Sequence, residues 1–234
     1  MRNILISGSS KGLGKELVRC LRNDDTQIYS MGNVTSTDVD IRVDLRNPDA
    51  TNLAIENFFK DKGPISILIC NAGSGRPPEN KLRRKQARKH YMELNVNTAE
   101  NLINACRPFF KANESSIVAI SSIAAITKIK GANPEYGKSK RKLNNLVKKL
   151  ALQDAEFGFR YNLISPGNIY FEGSRWSEII SQKPKFVNDL LVKEVPLGSF
   201  ISPEEIADAI EFLSSMAAKN ITGLNLVIDG GQSL

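Results

Sequence analysis

Residues 134 to 140 read PEYGKSK, which sets a phenol, Tyr136, four places before an ammonium, Lys140. Asn133 as a cap and Pro134 in a first turn predict that a helix starts here. Positions i and i+4 of a helix share a face, so the two groups would lie side by side. A tyrosine titrates near ~10, and an adjacent cation favours its charged form. Such a phenol can exchange a proton with an alcohol or carbonyl oxygen, which is general acid–base chemistry. The same spacing occurs on many ordinary helix surfaces, so the rest of the chain has to decide.

A second constellation is SGSSKGLG, residues 7–14, between an apolar first strand and the first helical pattern. Gly8, Gly12 and Gly14 allow a sharp turn and close approach of a ligand. The helix that follows offers free backbone N–H groups to a pyrophosphate. The spacing is neither the G-x-G-x-x-G fingerprint nor a P-loop.

Positioning these groups takes strands and helices in alternation. Apolar runs at 3–7, 27–31, 39–43, 65–70, 115–121, 160–165 and 224–229 read as strands. Helical patterns cover 14–23, 48–61, about 81–111 in two pieces, 134–157 and 203–215. Strands apolar throughout have both faces covered. The order predicts a single α/β domain over residues 1–234, a Rossmann-type doubly wound parallel sheet of about seven strands. Residues 168–198 show no clear strand and are long for a loop, which suggests a substrate-covering segment with its own helices.

Composition narrows the classes. The 234 residues are 41% hydrophobic and 24% charged, ordinary globular usage. Three widely spaced cysteines, Cys20, Cys70 and Cys106, suit neither a disulfide framework nor a zinc site. No apolar run spans a bilayer and the amino terminus enters a strand directly, so no membrane partner, no metal and a reducing cytoplasm are expected. The net charge is +7 and the densest basic run is KLRRKQARKH, residues 81–90. It carries no interleaved aromatics and reads as a solvated helix face, not a nucleic-acid site. His90, the only histidine, has no nucleophile motif beside it and reads as a surface or packing residue.

Together these stretches resemble the short-chain dehydrogenase/reductases, in their simple single-domain branch. SGSSKGLG is similar to that family's T-G-x-x-x-G-x-G, with Ser7 for threonine. CNAG (70–73) matches N-N-A-G with Cys70 for the first asparagine, and ELNVN supplies Asn95. AISSIAA supplies Ser122, YGKSK the Tyr and Lys, and SPGNI (165–169) the P-G motif. The resemblance runs through the carboxyl-terminal stretch from PLGS to IDGG, in order, and many similar proteins are 3-oxoacyl-carrier-protein reductases.

The resemblance implies a catalytic set of Ser122, Tyr136, Lys140 and Asn95. Tyr136 is the proton donor and Ser122 holds the same oxygen. Lys140 holds the nicotinamide ribose, and Asn95 fixes a relay water. Gly8, Ser10, Lys11, Gly12, Leu13 and Gly14 would surround the cofactor's phosphates. Asp44 and Leu45 would meet adenine, Asn71, Ala72 and Gly73 the middle of the cofactor, and Pro166, Gly167 and Ile169 the nicotinamide, with Tyr136 and Lys140 completing that set. NADP(H) is the expected cofactor, with NAD(H) possible, since the place after the second strand falls on Gly32 and Asn33, neither acidic. The substrate would be a carbonyl or alcohol, sugar-like or carrier-bound. Lys81, Arg83 and Arg84 are candidates for meeting an acidic carrier. A homotetramer is implied, built from helices at 95–111 and 134–157 and from the last helix and strand. Two departures stand out: Ser122 to Tyr136 is one residue longer than in many members, and Tyr170 and Phe171 stand where many place a threonine that holds the cofactor amide. The competing reading is a non-catalytic, dehydrogenase-like regulatory protein, although such proteins usually lose the serine, tyrosine or lysine.

Overall fold

A computed structural model describes residues 1–76, 82–129 and 131–234. Seven strands form one parallel sheet: β1 (Arg2–Ser7), β2 (Thr26–Gly32), β3 (Ile41–Arg42), β4 (Ile67–Cys70), β5 (Ser116–Ile120), β6 (Arg160–Pro166) and β7 (Asn225–Ile228). Their order is β3-β2-β1-β4-β5-β6-β7. The chain reverses its direction of travel across the sheet between β1 and β4, and a crevice opens there at the strands' carboxyl ends, where ligands bind in folds of this class. The expected architecture is therefore present.

Alternation along β1 feeds both faces of the sheet. Ile4 and Ile6 pack with α1 (Gly12–Cys20) and α8 (Pro203–Ser214), while Leu5 packs with α2 (Pro48–Phe59), α4 (Thr98–Cys106) and α5 (Pro134–Gln153). Each fully buried Leu or Ile here contributes about 1.5–3 kcal/mol. Strand β3 is shorter than the stretch 39–43 suggested, because only Ile41 and Arg42 pair with β2.

The helical stretch expected over 81–111 begins with α3 (Arg84–Met92) and passes through five residues of wider π-helical turn, Glu93–Asn97, into α4. Lys81 lies outside the described residues, so the basic run is described from Leu82 onward. Segment 168–198 has the two helices expected of it, α6 (Arg175–Gln182) and α7 (Pro184–Glu194). No residue of α6 is buried, and on α7 only Val187 is. Few buried contacts make this pair the element that opens at least cost. Among the described residues no helix is long and apolar enough to cross a membrane, and no cluster is fit to hold a metal. Cys70 and Cys106 are buried and Cys20 half-buried, all three unpaired.

Candidate active site

Helix α5 begins as its sequence suggests. Asn133 Oδ1 accepts the backbone N–H of Glu135 at 2.9 Å and Pro134 occupies the first turn. The helix points Tyr136 and Lys140 toward the carboxyl end of β5, where Ile120, Ser121 and Ser122 leave the sheet. One cleft of about 180 Å³ is lined by Ser122, Tyr136, Lys140, Leu13, Asn71, Gly73, Pro166, Gly167 and Ile169. Residues far apart in sequence thus converge on one space.

Electrostatics in the cleft follow burial. The Tyr136 phenol sits above its ordinary value because burial disfavours the tyrosinate, while a hydrogen bond with Ser122 pulls the other way. Lys140 is 5% exposed, and burial pulls its ammonium down to about 8. Its Nζ donates to the Ile120 carbonyl at 2.8 Å. Burial thus outweighs the Ser122 hydrogen bond, and Tyr136 is a neutral phenol at pH 7. A neutral phenol is a proton donor, the form that carbonyl reduction needs.

Asn95 is buried behind the cleft. Its amide clasps Ser74 from both sides, Oδ1 accepting the Ser74 N–H at 3.0 Å and Nδ2 donating to the Ser74 carbonyl at 3.1 Å. Nδ2 also lies 3.3 Å from the Ser139 hydroxyl on α5. The wide turn at Glu93–Asn97 carries this side chain, as such turns often do at functional positions. The result is a strap, residues 73–76, tied down over Tyr136. A Cβ on Gly75 would lie 3.0 Å from Tyr136 Cζ, the carbon that bears the hydroxyl. Glycine lets the strap close one face of the phenol. Tyr91, fully buried, sets its ring 5.8 Å from that of Tyr136 and donates to the Arg76 carbonyl at 3.4 Å.

The glycine turn is braced from the next strand. Asn71 Nδ2 donates to the carbonyls of Ser7 and Gly8 at 3.1 and 3.2 Å. Ser7 Oγ accepts the N–H groups of Asn71 and Ala72, both at 3.1 Å, so serine supplies the hydroxyl that threonine would. Gly8 packs against Ala72. At the start of α1, Lys11 makes no capping bond and no acid stands in the first turn. The space beside Gly12 is open. Free N–H groups facing open space suit cofactor phosphates.

Other expected positions divide. Leu45 turns its side chain into the core and gives its carbonyl to Asn101 Nδ2 at 2.8 Å, while Asp44 is held by Arg46 Nη2 at 2.6 Å, which keeps its carboxyl below the usual range. Neither joins the cleft, nor do Gly8, Ser10, Lys11, Gly12, Gly14, Ala72 and Asn95. They lie along the amino end of α1 and beneath the strap. Beside Gly167, the buried Nδ2 of Asn168 and the buried Oε1 of Gln232 have no partner among the described residues. A carboxamide, donor and acceptor in one group, is the complement of such a pair. The residues present thus fit a dinucleotide at its phosphate end and at its nicotinamide end.

Ser74, Gly75, Ile120 and Ser121 also line the cleft and were not anticipated. Two follow CNAG directly, Ile120 ends β5 and Ser121 follows it, so the rule that sites form at strand carboxyl ends would have found them. Tyr91 carried no signal. His90 is half-buried against the Tyr91 ring at 5.3 Å, a packing residue as expected.

Residues 9–233 match the model of the enoyl-(acyl carrier protein) reductase family, nearly the whole chain. The chain belongs to the short-chain dehydrogenase/reductases. An uncharacterised oxidoreductase of Schizosaccharomyces pombe is 30% identical over 239 residues, covering 98% of this chain and 90% of that one. A 3-oxoacyl-[acyl-carrier-protein] reductase of Buchnera aphidicola is 30% identical over 242 residues, covering 97% and 95%. The L-sorbose reductase of Gluconobacter frateurii, complexed with NADPH and L-sorbose, superposes with a TM-score of 0.85 at 23% identity, covering 99% of this chain and 96% of that one. This short-chain dehydrogenase/reductase is an NAD(P)-dependent oxidoreductase.

Proposed function

We propose that the chain is an NADP(H)-preferring carbonyl reductase whose catalytic set is Ser122, Tyr136, Lys140 and Asn95. The observation that carries this is the convergence of Ser122, Tyr136 and Lys140 on the cleft that Gly167 and Ile169 also line. The reduced nicotinamide supplies the hydride. Ser122 donates a hydrogen bond to the substrate oxygen and steadies the charge that grows there. Tyr136 gives that oxygen its proton. Lys140, charged below about 8, lowers the cost of the tyrosinate left behind. Asn95 holds the strap that fixes the phenol, and reaches α5 through Ser139. The test is NADPH oxidation followed at 340 nm against a panel of ketones, 3-oxoacyl thioesters and ketoses. Cofactor binding with no turnover across the panel would point to the regulatory reading instead.

The substrate is a small carbonyl or alcohol compound, carrier-bound or sugar-like. Beyond Ile169, Tyr170, Trp176 and Phe200 form an aromatic cluster, with ring centroids of Tyr170 and Trp176 at 5.9 and 5.1 Å from Phe200. The unpaired cysteines suit a cytoplasmic setting. Strand β7 is the sheet's open edge, and Phe212, Met216, Leu224 and Val227 are exposed around it. This reading includes self-association there, since pairing relieves an exposed edge.

Cofactor choice rests on the end of β2. Residues 32–36, GNVTS, contain no acid, and Asp40 is turned back onto Ser30, whose N–H and hydroxyl it accepts at 2.7 Å each. Gly32 lies between Ser10 and Ser36, and a Cβ there would fall 2.7 Å from Ser36 Oγ. Lys11, exposed at the start of α1, adds the only nearby cation on the glycine turn. The expected result is a tenfold to hundredfold preference for NADPH over NADH in kcat/KM, from an exposed pairing of about 1–3 kcal/mol. Lys11→Ala should reduce the ratio toward one. Equal values in the wild type, or an unchanged ratio in the variant, would remove Lys11 as selector.

The buried ammonium sets a pH limit. Lys140 carries its charge below about 8 and loses it above. The expected kcat/KM for reduction is level between pH 6 and about 7, is halved near pH 8 and falls further as the unprotonated lysine accumulates, because this ratio reports the free enzyme's groups. A profile flat to pH 10 would show that the charge on Lys140 is not needed.

A further inference from the structure

The Tyr136 phenol is held from outside its own helix. Helix α5 fixes the Cα, but the hydroxyl stands at the far end of the ring, where a small change in χ1 moves it most. Which rotamer such a side chain takes is decided by what packs against it. A misplacement of about 1 Å can cost about 10²-fold in rate. Two contacts set the ring here. A Cβ on Gly75 would lie 3.0 Å from Tyr136 Cζ and 3.3 Å from Cε1 and Cε2, so the strap's backbone bears on the outer half of the ring. The Tyr91 ring packs at 5.8 Å, tilted by 58°.

Tyr91 serves both contacts. It is fully buried in the last turn of α3 with the His90 ring 5.3 Å away, so its own ring has no room to swing. Its hydroxyl donates to the Arg76 carbonyl at 3.4 Å, and one helical turn later Asn95 clasps Ser74. Between these ties Ser74 Oγ accepts the Arg76 N–H at 3.1 Å and closes a turn around Gly75. One helix surface thus anchors the strap on both sides of the glycine that meets the phenol.

We propose that Tyr91 is a positioning residue: its ring and the Gly75 backbone form a clamp that sets where the Tyr136 hydroxyl stands before any ligand arrives. A side chain that only filled the core would have no reason to meet the phenol with its ring and the strap with its hydroxyl. The effect on turnover rests on the reading of Tyr136 as proton donor. The effect on the phenol rests on the geometry alone. Burial raises the phenol above its ordinary value, and the neighbouring Tyr91 pushes the same way. Opening the clamp admits water and should lower it.

Three measurements on the full chain test the clamp. Tyr91→Leu should lower kcat for ketone reduction by about tenfold or more with the Kd for NADPH within about threefold, and Tyr91→Phe, which restores a ring, should recover most of the loss. In a Tyr136→Phe background Tyr91→Leu should change the residual rate by less than about twofold, because residues that act through one group are not additive. In the ligand-free chain labelled with fluorotyrosine, the fluorine resonance absent from Tyr136→Phe should titrate at lower pH in Tyr91→Leu than in the wild type. Gly75→Ala serves if Tyr91→Leu melts early. Gly75 is exposed, its φ is outside the left-handed region, and the nearest neighbours of an added Cβ all belong to Tyr136. Alanine there acts on the phenol and should lower kcat by about three- to tenfold. Wild-type kcat in both Tyr91→Leu and Gly75→Ala, an undiminished effect in the Tyr136→Phe background, a Tyr91→Phe as slow as Tyr91→Leu, or an unchanged titration would overturn the clamp. A wild type without turnover would instead refute the reductase reading, and the titration then decides the clamp by itself.

Discussion

Tyr136→Phe is expected to lower kcat for carbonyl reduction by a factor of about 10²–10⁴, the range of a positioned proton donor, while the Kd for NADPH stays within about threefold. The change removes one oxygen from a ring held on three sides. The Gly75 backbone lies over one face, the Tyr91 ring stands 5.8 Å away, and α5 carries the Cα. None of these contacts uses the hydroxyl, so phenylalanine keeps the ring in place. The glycine turn and Lys140 remain to hold the cofactor. Fluorescence titration gives the binding constant and the absorbance at 340 nm gives the rate. Turnover retained within about tenfold, ~1.4 kcal/mol of barrier, would assign the proton to another group. Loss of NADPH binding would make the phenol a cofactor ligand first.

Much of this site could be read before any coordinates, for reasons particular to each residue. Tyr136 and Lys140 are four apart on one helix, so local geometry alone brings them together. The strand and helix alternation was legible because buried parallel strands are continuously apolar. The strap was not. Gly75 matters through a Tyr136 ring 61 positions away, and Tyr91 looks in sequence like any aromatic on a helix face. The burial of the phenol was not legible either. Spacing shows the cation next door, but desolvation depends on what covers each group, and burial raises the phenol and lowers the ammonium.

The glycine turn allows ligand contact and internal packing to be separated with two alanines. At Gly14 a Cβ would stand 2.2 Å from the Gly8 carbonyl oxygen and 2.5 Å from Asn71 Nδ2. Both neighbours belong to one web, since Asn71 Nδ2 holds the carbonyls of Ser7 and Gly8. Backbone cannot step aside cheaply, so Gly14→Ala combines overpacking, about 1–3 kcal/mol, with lost hydrogen bonds of about 1 kcal/mol each. For a chain of this length the expected fall in Tm is on the order of 5–12 °C without any ligand. Gly12 is the opposite case. Its φ is +62° and a Cβ there meets nothing within 4 Å. Alanine then costs only the left-handed conformation, about 1–2 kcal/mol, and a Tm fall of about 2–6 °C. Its methyl group fills the open side of the α1 amino terminus, where phosphates must approach the N–H groups. Gly12→Ala should therefore weaken NADPH binding by more than its stability loss explains, at least about tenfold in Kd. Differential scanning calorimetry of the ligand-free variants and NADPH titration of each give the four numbers. A Gly12→Ala variant that binds NADPH like the wild type would move the phosphates away from this turn. A Gly14→Ala variant that melts with the wild type would show that the turn is looser than its contacts imply.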